Sequence, residues 1–459
     1  MIAPETLGSA AFRADYGLTQ AYMAGAMVKG ISSAAMVIRM ARAGRLAVYG
    51  TGGQPEEEID ARLTEIAAAV PEGAAWGVNM LSAHGDVEHE TAFVARLLRH
   101  GVRIVEASAF MEVTDALVEF RLSDLDADAQ GRPIARSRII AKISRPEVAA
   151  AFLAPPDPAV VDRLLQAGRI TPEAAALAPQ LPVASDVTVE ADSGGHTDMG
   201  VTSTLLPAIA GLRDRLQAQH RFAQPVRVGS AGGIGTPEAA ACAFLLGADY
   251  IVTGSINQCT VEASTSDAVK DVLAKLGVQD TAYAPAGDMF EMGAKVQVLR
   301  KGVFFPARAS RLYDLWRNHG ALDELPSEVR ADIQTKYLGR SFDDVFEETR
   351  AHYLRADPSV AARAERDPKL RMALIFRWYF VRSMRLALTG DTAHRVDWQV
   401  YCGPALGAFN QWAAGGPFDN WRTRHVDDLA DALMEGAARY LERRLGVLSG
   451  LDRTKEAAE

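Results

Sequence analysis

The stretch Val226-Arg227-Val228-Gly229-Ser230-Ala231-Gly232-Gly233-Ile234-Gly235 carries the strongest structural signal in the chain. It begins with the β-branched residues of a buried strand and ends in a glycine-rich turn. The stretch Tyr250-Ile251-Val252-Thr253-Gly254-Ser255 repeats this pattern shortly afterwards. Glycines that follow a strand and lead toward a helix can present backbone N–H groups to a phosphate, where the helix dipole also favours an anion. Two such loops predict a phosphate site, and two tight turns without a ligand are the alternative.

Strand and helix patterns alternate in this way from about residue 18 to residue 258. The run Asp86–His100 predicts a helix, because apolar residues recur at helical spacing between an N-capping Asp86 and a terminating Gly101. Repeated βα units predict a parallel sheet, and eight strands are the number that a (β/α)₈ barrel of about 250 residues requires. An open doubly wound sheet with two extra strands is the alternative. The candidate strands are Leu18–Met23, Leu46–Tyr49, Ala75–Met80, Arg103–Ala107, Ile139–Ile143, Val187–Glu190, Val226–Gly229 and Tyr250–Thr253.

The character of the sequence changes after Gln258. From Pro285 onward it is richer in Arg, Trp and Tyr and indicates helices almost throughout. We therefore expect a barrel over residues 1–284 and a helical module over 285–459 that faces substrate or carrier and covers or completes the mouth of the barrel. The candidate helices are Ala307–Arg317, Pro326–Leu338, Ser341–Leu354, Lys369–Leu388 and Val426–Leu445.

Composition excludes several classes of function. The chain has 459 residues, 48% of them hydrophobic, and a net charge of -9, which gives no general attraction to nucleic acid. Its three cysteines, Cys242, Cys259 and Cys402, are far apart and predict neither a disulfide framework nor a cysteine metal site. The N-terminus has no basic segment before an apolar core, and the apolar run Ala373–Val381 is too short to span a bilayer. We expect a cytoplasmic protein with no metal and no membrane partner.

In a parallel barrel the chemistry lies at the C-terminal ends of the strands. The residues at those positions in this chain are rich in glycine, with an amide, a lysine and a histidine among them. They are Met23, Ala24, Gly25, Asn79, Lys142, Gly194, Gly195, His196, Ala231, Gly232, Gly233, Thr253, Gly254 and Ser255.

These motifs, in this order over the first 260 residues, resemble the FMN-binding barrel of the nitronate monooxygenase (2-nitropropane dioxygenase) and FMN-dependent enoyl reductase superfamily. The resemblance implies an FMN-binding TIM barrel in which the glycines of the last two loops hold the phosphate. It also implies that Gly194, Gly195, Ala231 and Thr253 belong to the cofactor site. The residues expected on the phosphate are Gly232, Gly233, Gly254 and Ser255, and those expected along the flavin are Met23, Ala24, Gly25, Asn79 and Lys142.

Two later segments of the sequence resemble one particular family within this superfamily. Asp288-Met289-Phe290-Glu291 and Tyr401-Cys402-Gly403-Pro404-Ala405-Leu406-Gly407-Ala408-Phe409-Asn410 are similar to the PfaD-type, trans-acting enoyl reductases of polyunsaturated fatty acid synthases and trans-acyltransferase polyketide synthases. That resemblance implies NADPH as hydride donor, an acyl carrier protein as partner and a homodimer. The chain departs from the family at Gly287, where Ala is expected, and at Trp398 and Tyr401, whose residue types are exchanged.

His196 and Lys142 are the candidate catalytic residues. Enoyl reduction needs hydride at the β-carbon, a proton at the α-carbon and a donor near the thioester carbonyl. His196 could supply the proton or the hydrogen bond, or could be a histidine with only a structural hydrogen bond. Lys142 is either a cation beside the flavin pyrimidine or a surface lysine. Asp192 and Asp198 could orient His196, bind a ribityl hydroxyl or cap a loop.

Two features of the helical module are open to two interpretations. Its basic stretch is either a docking site for acidic carrier proteins or a solvated helix face. Its aromatic group is either helix core or the lining of an acyl-chain pocket. The basic residues are Lys295, Arg300, Lys301, Arg308 and Arg311, and the aromatic residues are Trp378, Tyr379, Phe380, Trp398 and Phe409.

The sequence thus predicts an FMN-dependent, NAD(P)H-using enoyl reductase that acts on enoyl thioesters of an acyl carrier protein. One alternative is a nitronate monooxygenase that oxidises nitronates on the same flavin. The other is a structural subunit of a synthase complex that has lost the cofactor.

Overall fold

A computed structural model describes residues 2–83, 85–195 and 198–449 of the chain. Eight parallel strands close into a barrel in the order β1-β10-β9-β8-β7-β4-β3-β2. The closed barrel confirms the predicted (β/α)₈ fold and excludes the open sheet. The barrel strands are β1 (Tyr22–Ala24), β2 (Leu46–Tyr49), β3 (Gly77–Leu81), β4 (Ile104–Ser108), β7 (Arg138–Ile143), β8 (Asp186–Glu190), β9 (Arg227–Ala231) and β10 (Ile251–Thr253).

The chain forms two compact units. The first comprises residues 1–193, 199–264 and 408–459, and the second comprises 194–198 and 265–407. The chain therefore leaves the barrel unit after Ser264 and returns to it at Ala408, whereas the sequence led us to expect one border between residues 284 and 285.

Helices follow the barrel strands as the sequence predicts. In the helix Val87–Arg99, the side chain of Asp86 accepts a hydrogen bond from the backbone N–H of His89 at 3.0 Å, and Gly101 has a φ of +68°. These are the expected N-cap and stop. The helices of the first unit are α1 (Ala10–Tyr16), α2 (Ala34–Arg42), α3 (Glu56–Ala69), α4 (Val87–Arg99), α5 (Asp115–Leu122), α6 (Pro146–Leu153), α7 (Pro158–Gln166), α8 (Pro172–Leu177), α9 (Thr202–His220), α10 (Pro237–Leu245) and α18 (Val426–Leu448).

Helix α18 packs on the barrel unit, against α10 and α2. Arg39 of α2 pairs with Asp427 at 2.5 Å, and Glu262 accepts from the backbone N–H of Val426 at 3.1 Å. The final helix is thus part of the first unit and not of the helical module to which the sequence assigned it.

The N-terminal end of the barrel is closed by side chains from α1. Phe12 stacks on Tyr250 with ring centroids 4.2 Å apart, and the Tyr16 hydroxyl donates to Asp186 at 2.5 Å. Arg227 binds the same carboxylate at 3.0 Å. Because this end is filled, any binding site of the barrel lies at the opposite, C-terminal end of the strands.

The second unit is mainly helical, with an antiparallel hairpin of β11 (Thr281–Pro285) and β12 (Lys295–Leu299). Its core is aromatic, with Phe290 and Phe305 both packed on Phe380. The helices include α11 (Asp267–Leu273), α12 (Phe305–Asn318), α13 (Ser327–Asp332), α14 (Phe342–Ala356), α15 (Pro358–Ala364) and α16 (Pro368–Thr389), and α17 (Ala405–Ala413) crosses the border between the units.

The structure corrects two details of the sequence prediction. Strand β12 lies in the region that was expected to be helical almost throughout, and its alternating Val296 and Val298 are buried. The helix predicted for Pro326–Leu338 is a short α13 followed by a π-helical turn over Ile333–Leu338. A second small hairpin, β5 (Leu125–Ala127) and β6 (Pro133–Ala135), is inserted between β4 and β7.

Candidate active site

The C-terminal end of the barrel has a polar half and a half made of small residues. Alternate residues of a strand face the same side, and Ile104 and Ile140 belong to the apolar cluster inside the barrel. The next inward positions on the same strands are therefore Glu106 and Lys142. The polar half, on β3, β4, β7 and β8, comprises Asn79, Glu106, Ser108, Lys142 and Glu190, and the opposite half comprises Gly25, Gly50, Ala231 and Gly254.

Lys142 is held as a cation inside this polar half. Its ammonium group lies 3.1 Å from Glu190, and both side chains are largely buried. Burial by itself opposes the charge, but the carboxylates of Glu190 and Glu106 outweigh it and raise the pKa of Lys142 above its ordinary value. Ser193 donates to the same Glu190 oxygen at 2.8 Å. The interpretation of Lys142 as a surface lysine is therefore wrong.

Glu106 is the site residue that the sequence analysis missed. It is completely buried, and one carboxylate oxygen accepts from the backbone N–H of Ala26 at 3.1 Å. Its other oxygen, Oε1, has no hydrogen-bond partner among the described residues. Burial raises the pKa of Glu106, as does the nearby charge of Glu190. An acidic residue inside the apolar strand Ile104–Ser108 was the available signal, because a buried strand has no structural use for a carboxylate.

Asn79 is fixed beside Glu106. Its side-chain nitrogen donates to the backbone carbonyl of Glu106 at 3.0 Å and to the Ser108 hydroxyl at 2.9 Å. The Thr51 hydroxyl donates to the Asn79 backbone carbonyl at 2.7 Å. Asn79 thus has one orientation, which suits a residue that positions a ligand by its amide.

The glycines of the other half occur for different structural reasons. A Cβ atom on Gly50 would lie 1.8 Å from the Met27 carbonyl oxygen, and one on Gly25 would lie 2.8 Å from Val252. Close packing therefore explains these two glycines. A Cβ atom on Gly254 would meet no atom within 4 Å, so Gly254 borders open space.

The two loops proposed to hold phosphate follow adjacent parallel strands, β9 and β10. Gly232 has a φ of +86°, and a Cβ atom there would lie 1.5 Å from the Ala191 carbonyl oxygen. The backbone N–H of Gly233 donates to the Asp192 carbonyl at 3.2 Å. Packing against the preceding loop therefore requires Gly232 and engages the N–H of Gly233. The open position at this edge is at Gly254, which is half-buried, as is the neighbouring Ser255.

The remaining candidates of the barrel unit lie deeper. Met23 is fully buried in the interior cluster, and Ala24 and Ala231 are buried at the ends of their strands. The Thr253 hydroxyl contacts the Tyr22 hydroxyl and accepts from Asn257 at 2.9 Å. These residues form the base on which the site is built.

The segment after β8 divides between the two units. Gly194 and Gly195 belong to the second unit, where a Cβ atom on Gly194 would lie 3.1 Å from the backbone nitrogen of Cys402. Asp192 has a φ of +51° and Asp198 a φ of +48°, so both lie at sharp turns. His196 lies outside the described residues.

Burial and ion pairs bear on the two open interpretations of the helical module. Tyr379, Phe380 and Trp398 of the second unit and Phe409 of the first unit are buried, as the core interpretation predicts, whereas Trp378 is half-buried. Three of the five basic residues are paired internally: Lys301 with Asp280 at 2.9 Å, Arg311 with Asp332 at 2.8 Å, and Arg308 with the buried Asp397. Lys295 and Arg300 are exposed.

The site fits the flavin that the sequence implies. A buried carboxylate oxygen that has no partner within residues 2–83, 85–195 and 198–449 lies with a cation and an amide on one side of the site. Across from them is a rim of small residues with open space at Gly254. A flat heteroaromatic group with N–H donors and carbonyl acceptors matches these features.

Among the described residues there is no cluster of potential metal ligands, and none of their helices is long and apolar enough to cross a membrane.

Comparisons with known proteins agree with the barrel fold. The enoyl reductase domain of MlnA, from the macrolactin biosynthesis cluster of Bacillus amyloliquefaciens, superimposes with a TM-score of 0.93 at 43% identity, over 96% of this chain and 99% of that one. The polyketide biosynthesis protein PksE of Bacillus subtilis is 50% identical over 97% of this chain. A polyunsaturated fatty acid synthase protein of Thraustochytrium is 41% identical over 89% of it.

These curated relatives are longer proteins, since the chain covers 58% of PksE and 28% of the synthase protein. In addition, residues 319–398 match the family model of the inserted helical domain of [acyl-carrier-protein] S-malonyltransferase.

Proposed function

This chain belongs to the PfaD-type enoyl reductases of the nitronate monooxygenase-like superfamily, and we propose that it reduces the α,β-double bond of enoyl thioesters carried by an acyl carrier protein. The observation that carries this proposal is the similarity to the MlnA enoyl reductase domain, which spans nearly all of both chains. We further propose that the protein uses FMN and NADPH and acts in trans on a polyketide or polyunsaturated fatty acid synthase in the cytoplasm.

When bound, FMN would accept hydride from the nicotinamide and pass it to the enoyl substrate. We infer that it is held by Lys142 and Asn79 on the polar side and by the loop at Gly254 and Ser255 on the open side. Gly232 and Gly233 shape that loop pair, and Met23, Ala24, Gly25, Ala231 and Thr253 support it from below.

Lys142 contributes a fixed positive charge. Because Glu190 and Glu106 keep it protonated, it would favour any negative charge that develops nearby, without reorganisation of the protein during the reaction. Glu190 is in turn held by Ser193, so the cation is positioned before substrate arrives.

Glu106 would bind a donor. Its Oε1 lacks a partner in the part of the chain that the structure describes, and an unsatisfied buried oxygen costs about 1–3 kcal/mol until a donor reaches it. A ligand N–H that met this oxygen would gain that free energy. We therefore assign Glu106 to cofactor binding, together with Asn79.

The proton for the α-carbon needs a separate donor. We keep His196 as the proposed donor, from the family resemblance and the suitability of imidazole near neutral pH. The carrier-facing role of the helical module and the homodimer also remain proposals.

The test is a steady-state assay with FMN-loaded protein, NADPH and crotonyl thioester. We expect NADPH oxidation that depends on the thioester and yields butyryl thioester. Oxygen consumption with an alkyl nitronate, without nicotinamide and without thioester reduction, would instead identify a nitronate monooxygenase. A protein that cannot be loaded with FMN would be a structural subunit.

A further inference from the structure

The second unit has an exposed patch in which apolar side chains lie among cations. Phe304 is 58% exposed, Val278 43% and Val396 39%. Large apolar side chains grouped at a surface mark interaction sites more often than single ones do. The patch, named here the cationic patch, consists of Lys275, Val278, Arg300, Phe304, Arg395 and Val396.

Contacts within the second unit join these residues into one surface. The backbone N–H of Phe304 donates to the Val396 carbonyl at 2.6 Å. A Cβ atom on Gly302 would lie 2.9 Å from the Arg395 guanidinium. The Lys301 ammonium donates to the Lys275 carbonyl at 3.1 Å. The turn at residues 300–304 therefore contacts both the segment around Arg395 and Lys275, which lies two residues after the end of α11.

The patch is positively charged in an acidic protein. Around the turn stand the cations Lys275, Arg300, Lys301 and Arg395, and the adjacent carboxylate, Asp280, is bound by Lys301 at 2.9 Å. Residues 265–407 contain 21 Lys and Arg against 19 Asp and Glu, whereas the whole chain has a net charge of -9. Positive charge is thus concentrated in this unit.

We propose that the cationic patch is the docking surface for the acidic helical face of an acyl carrier protein. The proposal rests on the proposed function, which requires such a carrier. Carriers of this kind present carboxylates beside apolar side chains, and the patch is complementary on both counts. Arg395 and Val396 also lie in the segment that matches the inserted helical domain of [acyl-carrier-protein] S-malonyltransferase.

The interaction should combine steering by the cations with an apolar anchor at Phe304. Charges at the rim of an interface act mainly on the association rate and weaken with salt, whereas a central aromatic residue acts mainly on dissociation. Neither contribution concerns the chemistry in the barrel. Changes in the patch should therefore affect carrier-bound substrates alone.

The experiment measures two properties of the full chain. Fluorescence anisotropy with a labelled acyl carrier protein gives the dissociation constant, and reduction of a small crotonyl thioester gives carrier-independent activity. The test variants are Arg300→Glu/Arg395→Glu and Phe304→Ala. The matched control is Arg355→Glu/Arg366→Glu, which has the same charge change at exposed positions of other segments of the same unit.

We expect the double reversal to raise the carrier dissociation constant at least about tenfold and Phe304→Ala to raise it about fivefold. Small-thioester activity should stay within about twofold, and the control should bind the carrier like wild type. The proposal would be overturned if the control variant weakened carrier binding as much as the test variants, or if both test variants bound the carrier like wild type. It would also be overturned if the wild type associated with itself and did not bind the carrier. If the wild type binds carrier but does not reduce the crotonyl thioester, the proposed function fails and the docking site stands.

Discussion

Replacing Lys142 by Met tests the charge arrangement of the site. The substitution removes the cation that Glu190 and Glu106 share and leaves both carboxylates largely buried. Removing one partner of a buried ion pair costs about 3–5 kcal/mol, because the other charge stays uncompensated. Glu106 limits this cost, since it is fully buried, already has a raised pKa, and can take up a proton.

The loss in the free energy of unfolding can be worked out from the protonation of Glu106. In the folded variant Glu106 must carry a proton, although a carboxyl group with an ordinary pKa of about 4.3 is ionised in the unfolded chain. Keeping that proton costs about 1.4 kcal/mol for each pH unit above 4.3. This amounts to about 4 kcal/mol at pH 7 and about 1 kcal/mol at pH 5. A carboxyl whose pKa is raised by folding destabilises the folded state as the pH rises, so the free energy of unfolding of the variant should fall from pH 5 to pH 7.

Urea unfolding of the flavin-free protein, followed by far-UV circular dichroism at both pH values, measures this difference. In Lys142→Met/Glu106→Gln the neutral amide needs no proton, so the pH-dependent part of the lost stability, which Glu106 causes, should return, while the part due to the lost Glu190 ion pair remains. An equal loss at pH 5 and pH 7, or no recovery in the double variant, would refute the reasoning.

Three further substitutions test other parts of the account. Gly254→Ala should leave the free energy of unfolding within about 0.5 kcal/mol of wild type, because its methyl group meets no atom within 4 Å; it should nevertheless weaken FMN binding several-fold in a fluorescence titration, and unchanged affinity would argue against a phosphate role for this loop. Gly232→Ala should lower the free energy of unfolding by more than about 2 kcal/mol, since φ is +86° and the methyl group would meet the Ala191 carbonyl at 1.5 Å; a urea curve that coincides with wild type would contradict this. Asp397→Ala removes the carboxylate that Arg308, Arg382 and Tyr379 share and should cost about 3–5 kcal/mol in urea unfolding, whereas a loss below about 1 kcal/mol would show that these groups find other partners.

Most of the barrel could be predicted from the sequence because most of its strands are short apolar runs that end at or just before glycine or a polar residue. All eight strands lie within a few residues of their expected positions, as at Leu46–Tyr49. The path of the chain could not be predicted, because periodicity identifies a helix but not its neighbours. For this reason α18 was assigned to the wrong module, and its packing on α10 and α2, together with its ion pairs with Arg39 and Arg45, shows where it lies.

Only part of the site could be predicted, because its residues come from separate parts of the chain. Lys142 and Asn79 were identified from their places near the ends of their candidate strands and from the family motifs. Glu106 is the register partner of Asn79 and stands at the same level of the barrel, but it belongs to none of those motifs, and its partners come from elsewhere in the chain, at Ala26 and Asn79. Its burial without a full set of hydrogen bonds becomes visible only when strands β3, β4 and β7 are placed side by side.

The most direct test of the central claim is anaerobic and spectroscopic. The FMN-loaded protein is mixed with NADPH while the flavin absorbance is followed, and crotonyl thioester is then added. We predict bleaching by NADPH and full recovery of the absorbance on addition of the thioester, with one butyryl thioester formed per flavin. Bleaching without recovery would contradict the claim that this barrel delivers hydride to an enoyl thioester.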